Sequence, residues 1–150
     1  MFRSLFGKRS PTPSPALVKD INQLRPHLSA AGWAFEDRKP NEIFGISLER
    51  ALMNNSGIAS AVGFGGGYFH VIKLFGLTRP LTAEEIVKFN TETQLFNLTP
   101  HDEPPTGILK AHISARHGVE ARALISLLAN SEDALAKVVS MIGANALKAI

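Results

Sequence analysis

The sequence predicts an α+β domain, an antiparallel sheet with helices packed on one side, preceded by a flexible basic tail. Three observations predict it. A capped helix closes on Lys88-Phe89-Asn90 and runs into two strand-like stretches. Two apolar runs, 58–64 and 68–77, flank Gly65, Gly66 and Gly67 like the arms of a hairpin. Beyond His117-Gly118-Val119 the apolar spacing changes from that of a strand to that of a helix.

Composition sets the frame for these elements. A chain of 150 residues, 45% apolar, suits one globular unit over 16–150, because a domain of this size buries about 70% of its extended-chain surface. With no cysteine, disulfides, thiolate ligands and a Cys nucleophile are excluded. The pI of 9.5 suggests nucleic acid until the charges are located. Arg3, Lys8 and Arg9 lie in an acid-free tail, and without them 13 basic residues face 13 acidic ones. A neutral body has no phosphate-tracking stripe, so no nucleic-acid partner is expected.

The tail, 1–15, ends in a linker in which Pro11, Pro13 and Pro15 favour extended backbone. Those prolines also interrupt the place of a secretory h-region, and no run approaches the roughly 20 apolar residues of a spanning helix. As a helix, the tip would set Phe2, Leu5 and Phe6 on one side and Arg3, Lys8 and Arg9 largely on the other. That is a minimal membrane anchor, each cation adding about 1 kcal/mol at an anionic leaflet. A solubilising tail with no contact is the other reading. The expected location is cytoplasmic, with weak peripheral membrane contact through residues 1–9 as the variant.

Ser14 and Pro15 form an N-cap and N1 pair for a first helix, in which Leu17, Ile21, Leu24 and Leu28 make one stripe. Pro26 should kink or shorten it, and Gly32 stops it. Strands are expected at 33–35 and 43–48. Thr82 and Glu85 have capping-box spacing, with Leu81 and Ile86 as hydrophobic staple. The helix they open should reach about residue 92 and bury Ile86, Phe89 and Val87. Strands follow at 94–98 and 107–116 around a polar loop, 99–105. In the second, Leu109, Ala111, Ile113 and Ala115 face one way, and Lys110, His112, Ser114 and Arg116 the other. After Gly118, the apolar stripe predicts one long helix, or two broken at Asn130-Ser131 with Ser131 as cap. A rival parse makes His117-Gly118 a hairpin turn and 119–127 a strand.

This order of elements resembles the YbjN-like bacterial family, which shares the fold of type III secretion chaperones. The resemblance rests on Gly32-Trp33 closing the first helix and on Val87-Lys88-Phe89-Asn90 before the strand Gln94-Leu95-Phe96-Asn97-Leu98. His117-Gly118-Val119 stands where that family has a Gly-Gly-Val start to its last helix. The likeness covers about 16–142 as a layout. It implies a domain, often dimeric, that regulates or escorts other proteins and has no catalytic residues to carry over. Secretion chaperones are usually acidic, and this chain departs from them in being basic overall.

Candidate chemistry is sparse. Gly63-Phe64-Gly65-Gly66-Gly67 fails as a phosphate loop, because Tyr68 takes the place of the third glycine and a strand follows where a helix is needed. His112 and His117, five apart, fall on opposite faces of a strand, and His70 reads as an ordinary strand histidine. His101-Asp102-Glu103 are too close in sequence to converge on one ion. Ser47 lacks the second glycine of a nucleophile elbow. No catalytic residue, cofactor or metal is therefore expected. Partner contacts are expected from Asn90 (whose main role is to close its helix), from Gly65, Gly66 and Gly67, and from Leu124, Leu128 and Leu135. The reading is a non-enzymatic protein-binding regulatory or chaperone-like module, homodimeric in a bacterial cytosol. Its alternatives are a peripheral membrane adaptor, and a small-molecule binder or enzyme with scattered site residues.

Overall fold

The computed structural model describes residues 17–36, 39–43, 46–53 and 57–148. Along them run β1 (Leu17–Val18), α1 (Ile21–Ala30), β2 (Trp33–Phe35), β3 (Asn41–Ile43), β4 (Ile46–Met53), β5 (Ser60–Gly65) and β6 (Tyr68–Gly76). α2 (Ala83–Glu92), β7 (Asn97–Asp102), β8 (Pro105–Ser114), β9 (Val119–Glu120) and α3 (Ala121–Ile142) complete the order. The strands make an antiparallel sheet in the order β2-β4-β5-β6-β8-β7, with β3 folded back on β4. β1 and β9 form a separate two-residue ladder. The fold is α+β, as predicted, with the helices on one face of the sheet.

The central hairpin turns on two residues. Gly66 and Gly67 have φ of 62° and 83°, the left-handed backbone that a two-residue hairpin turn asks of both central positions. Gly65 and Tyr68 therefore pair directly, and β5 and β6 run in register to Ser60 and Lys73. Alternation does the rest. Phe69, Val71 and Phe75 of β6 point with Leu109 and Ala111 of β8 into the core, where all are nearly inaccessible. Gly107 lies opposite Phe75, and a Cβ there would stand 2.3 Å from the Phe75 ring. The ring covers the bare backbone as a cross-strand aromatic covers a glycine.

α2 starts as its sequence says. Thr82 Oγ1 accepts from the Glu85 N–H at 3.1 Å, and the Glu85 carboxylate accepts from the Thr82 N–H at 2.9 Å. Arg79 grips the same carboxylate through two nitrogens, both at 2.8 Å. This fork, helped by the Thr82 backbone and hydroxyl bonds, holds the Glu85 carboxyl down at about 2. Phe89 is fully buried and Ile86 packs at the margin. Val87, expected inside, is 63% exposed, since it follows Ile86 by 100° around the helix and clears the sheet.

Other expectations need correction. The first helix does not begin at Pro15: Leu17 and Val18 pair with Glu120 and Val119 as a strand. Asp20 caps the helix instead, its side chain accepting from the Gln23 N–H at 2.9 Å. Pro26 sits inside the helix without ending it, and termination falls to Ala31 and to Gly32 at φ 92°. The strand expected over 43–48 is divided: β3, ending at Ile43, pairs antiparallel with the start of β4. The polar loop expected over 99–105 is mostly strand, Thr99 to Asp102 continuing the ladder with β8. Residues 119–127 are almost wholly helical: after two strand residues, α3 runs unbroken past Asn130 and Ser131. The tail and linker over 1–15 lie outside the described residues.

Candidate protein-binding face

Asn90 closes α2 against β7. Its Nδ2 donates to the Leu98 carbonyl at 3.0 Å, and its Oδ1 accepts from the Leu98 N–H at 2.7 Å. Both amide atoms are used on one backbone residue, which is itself fully buried. Asn90→Ala should cost about 2–6 kcal/mol, since it strips partners from two backbone groups at about 1–3 kcal/mol each. Asn90→Asp should fall between, keeping the acceptor but facing the Leu98 carbonyl with a second oxygen. Urea unfolding of the three proteins checks the order.

Leu124 and Leu128 are fully buried and Leu135 is 9% exposed. All three belong to the core beneath the sheet, where their side chains are taken up by packing within the chain. Gly65, Gly66 and Gly67 do sit at an accessible hairpin end. Phe2, Arg3, Leu5, Phe6, Lys8 and Arg9 lie outside the described residues.

The sheet has a second face, turned away from the helices, that no local run of residues announces. Register builds it in rows. One row crosses from Arg50 through Ala61, Ile72 and Lys110 to Asn97. Another sets Leu74 beside Ile108 and Thr99. A third sets Gly63 beside His70 and His112. Leu48 and Ile72 are almost inaccessible, yet they stand apart from the main core cluster. Small neighbours explain this: a Cβ on Gly63 would lie 2.9 Å from Leu48 Cδ2, so the leucine folds flat into the space the glycine leaves. Around this second packed layer, Leu74 and Tyr68 are 45% and 40% exposed. Arg50 is paired with Glu36 at 3.0 Å on the same side.

Aromatic rings gather near the hairpin end of that face. The Tyr68 ring meets His112 edge-on at 5.2 Å, and His70 and His112 have ring centres 5.9 Å apart. His70 Nε2 lies 3.1 Å from the Gly65 carbonyl. Forty-two positions of chain separate the two histidines, so only the β6–β8 register brings them together.

On the opposite face one polar cluster is sealed between sheet and helix. Lys73 has no exposed side-chain surface; its Nζ donates to the Ile58 carbonyl at 2.8 Å and to Glu132 of α3 at 2.9 Å. Beside it Ser60 and Ser131 share a hydrogen bond at 3.0 Å. Burial lowers the Lys73 pKa, while the bond to Glu132 and its charge oppose that shift.

An open groove of about 410 Å³ lies between the end of α2 and α3, lined by Leu95, Phe96, Ala134 and the Glu92–Lys137 ion pair. Among the described residues no three or more His, Asp or Glu side chains group as metal ligands, and no helix is long and apolar enough to cross a membrane.

No family model and no curated protein sequence matches the chain. A solved structure does: YbjN from E. coli, described as a candidate transcription regulator, superposes with a TM-score of 0.67 at 15% identity. The match takes in 88% of this chain and 98% of that one. At such identity the likeness speaks for architecture alone, and on that ground the chain has the YbjN-like fold that its punctuation around Gly32, Asn90 and Gly118 suggests.

Proposed function

We propose that this chain is a non-enzymatic protein-binding module, regulatory or chaperone-like, which offers the helix-free face of its sheet to a protein partner. One observation carries the reading. Tyr68 and Leu74 stand 40% and 45% exposed on a strand-built surface, with half-buried Ile108 beside Leu74 and the Arg50–Glu36 pair on the same side. Aromatic and aliphatic anchors ringed by polar groups are the composition of an interface centre and its rim. The description of YbjN as a candidate regulator, and the resemblance to escorting chaperones, point the same way. A homodimer in a bacterial cytosol belongs to the same reading.

The test uses full-length protein carrying a photo-crosslinking side chain at Leu74, irradiated in its native host. A single adduct of defined mass is expected, either a protein or a second copy of this chain. Leu74→Asp combined with Tyr68→Ala should weaken recovery of that partner by about tenfold or more, the loss of about 1.4 kcal/mol or more that a central anchor brings. Equal recovery by the double variant, with its fold intact by circular dichroism, removes this face from the function. Adducts to lipid alone would move the function to the membrane.

A further inference from the structure

We propose that His70 and His112 form a bidentate site for a divalent transition-metal ion of the zinc class on the helix-free face. Nitrogen-donor imidazoles suit such ions, where carboxylates and carbonyls suit magnesium and calcium. An ion about 2.0–2.1 Å from one nitrogen of each ring stands about 3.2 Å from each ring centre. Two rings sharing it at tetrahedral or wider angles then have centres about 5.2–6.4 Å apart. The observed 5.9 Å, with the ring planes 36° apart, falls inside that range.

The rings are also held. His70 Nε2 is 3.1 Å from the Gly65 carbonyl; as a carbonyl only accepts, that nitrogen donates, which leaves Nδ1 as the ring nitrogen available to a metal ion. Orientation of a ligating histidine by a backbone carbonyl on its other nitrogen is the usual second-sphere arrangement in metal sites. Tyr68 stands perpendicular to the His112 ring at 5.2 Å. Both ligands project from directly paired positions of central strands, a rigid mounting that lowers the ordering cost of binding. His112 is exposed and His70 half-buried, so the ion's remaining positions open to water. The site does not depend on the protein-binding reading.

The experiment titrates Zn²⁺ alone into the metal-free full chain by calorimetry, while the ring resonances of all five histidines are followed by NMR. One ion per chain is expected, with the His70 and His112 signals moving together. His112→Ala should weaken binding by about tenfold or more, the lower end of what losing even a supporting group costs a metal site. His70→Asn should do the same, and His101→Ala should change nothing. His112 is exposed, so its variant decides the matter should the His70 variant fail to fold. Binding that survives in His112→Ala, or no saturable binding up to about 1 mM, where ΔG is only about −4 kcal/mol, overturns the proposal.

Discussion

Glu132→Ala is expected to be among the most damaging single changes to this fold, at about 3 kcal/mol. Removing one member of a buried ion pair strands the other, at a typical cost of about 3–5 kcal/mol. The lower end applies here because Glu132 is itself 27% exposed and the Ile58 carbonyl still holds the ammonium. Lys73→Met should be much better tolerated, because it replaces the stranded cation with an apolar chain of similar length in a core of Leu109 and Val71. The pH dependence separates the charge from the packing. Burial lowers the folded-state pKa of Lys73 below its usual 10.5, so the unfolded chain binds more protons between those two values and stability rises with pH across that window. Without Glu132 the folded pKa falls further. The deficit of Glu132→Ala relative to wild type should therefore shrink as pH is raised from 7 towards 10. Guanidinium unfolding at both pH values reads this directly, and a deficit constant with pH would assign the loss to packing.

Gly63→Ala should cost a similar amount, about 3 kcal/mol, the upper end for overpacking. Its Cβ would lie 2.3 Å from the Ser47 carbonyl oxygen and 2.9 Å from Leu48 Cδ2. The first of these is backbone of β4, so relief requires one central strand to move from another. Gly65→Ala makes a sharp control. Its Cβ would have the Ile46 side chain, at 3.1 Å, as its nearest neighbour rather than backbone, and the expected loss is under about 1.5 kcal/mol. Thermal unfolding of the two variants should separate them clearly; equal shifts would mean that β4 yields more easily than its packing implies.

What the sequence made legible is short in range. The Thr82–Glu85 capping box, the glycine turn at 65–67 and the alternation of β8 each lie within a few residues of chain, and each is found where expected. What it hid is held by partners far away. Asn130-Ser131 reads as a break, yet Ser131 donates to the Leu128 carbonyl one turn back and meets the Ser60 hydroxyl, 71 positions distant, and the helix continues. Thr99 to Asp102 look like loop because they are polar, but as an outer strand they need only the backbone ladder of β8. Leu17 fits a helical stripe and is nonetheless taken by a strand whose partner arrives a hundred residues later. The candidate site suffers most from this. His70 and His112 each read as an unremarkable strand residue, and neither position carries a local sign of the other. Leu124 and Leu128 show the converse problem, since an apolar helix face looks the same whether it meets a partner or its own sheet.

The two-residue ladder of β1 and β9 has a mechanical consequence. It fastens the chain just before α1 to the residues just before α3, Leu17 against Glu120 and Val18 against Val119, with Leu17 Cβ only 3.2 Å from where a side chain on Gly118 would begin. A pull on the chain from the N-terminal side of Leu17 would thus load this clasp before it loads the sheet. The clasp opens by peeling two residues rather than by shearing a long strand, so it would yield at low force and release the first turn of the longest helix.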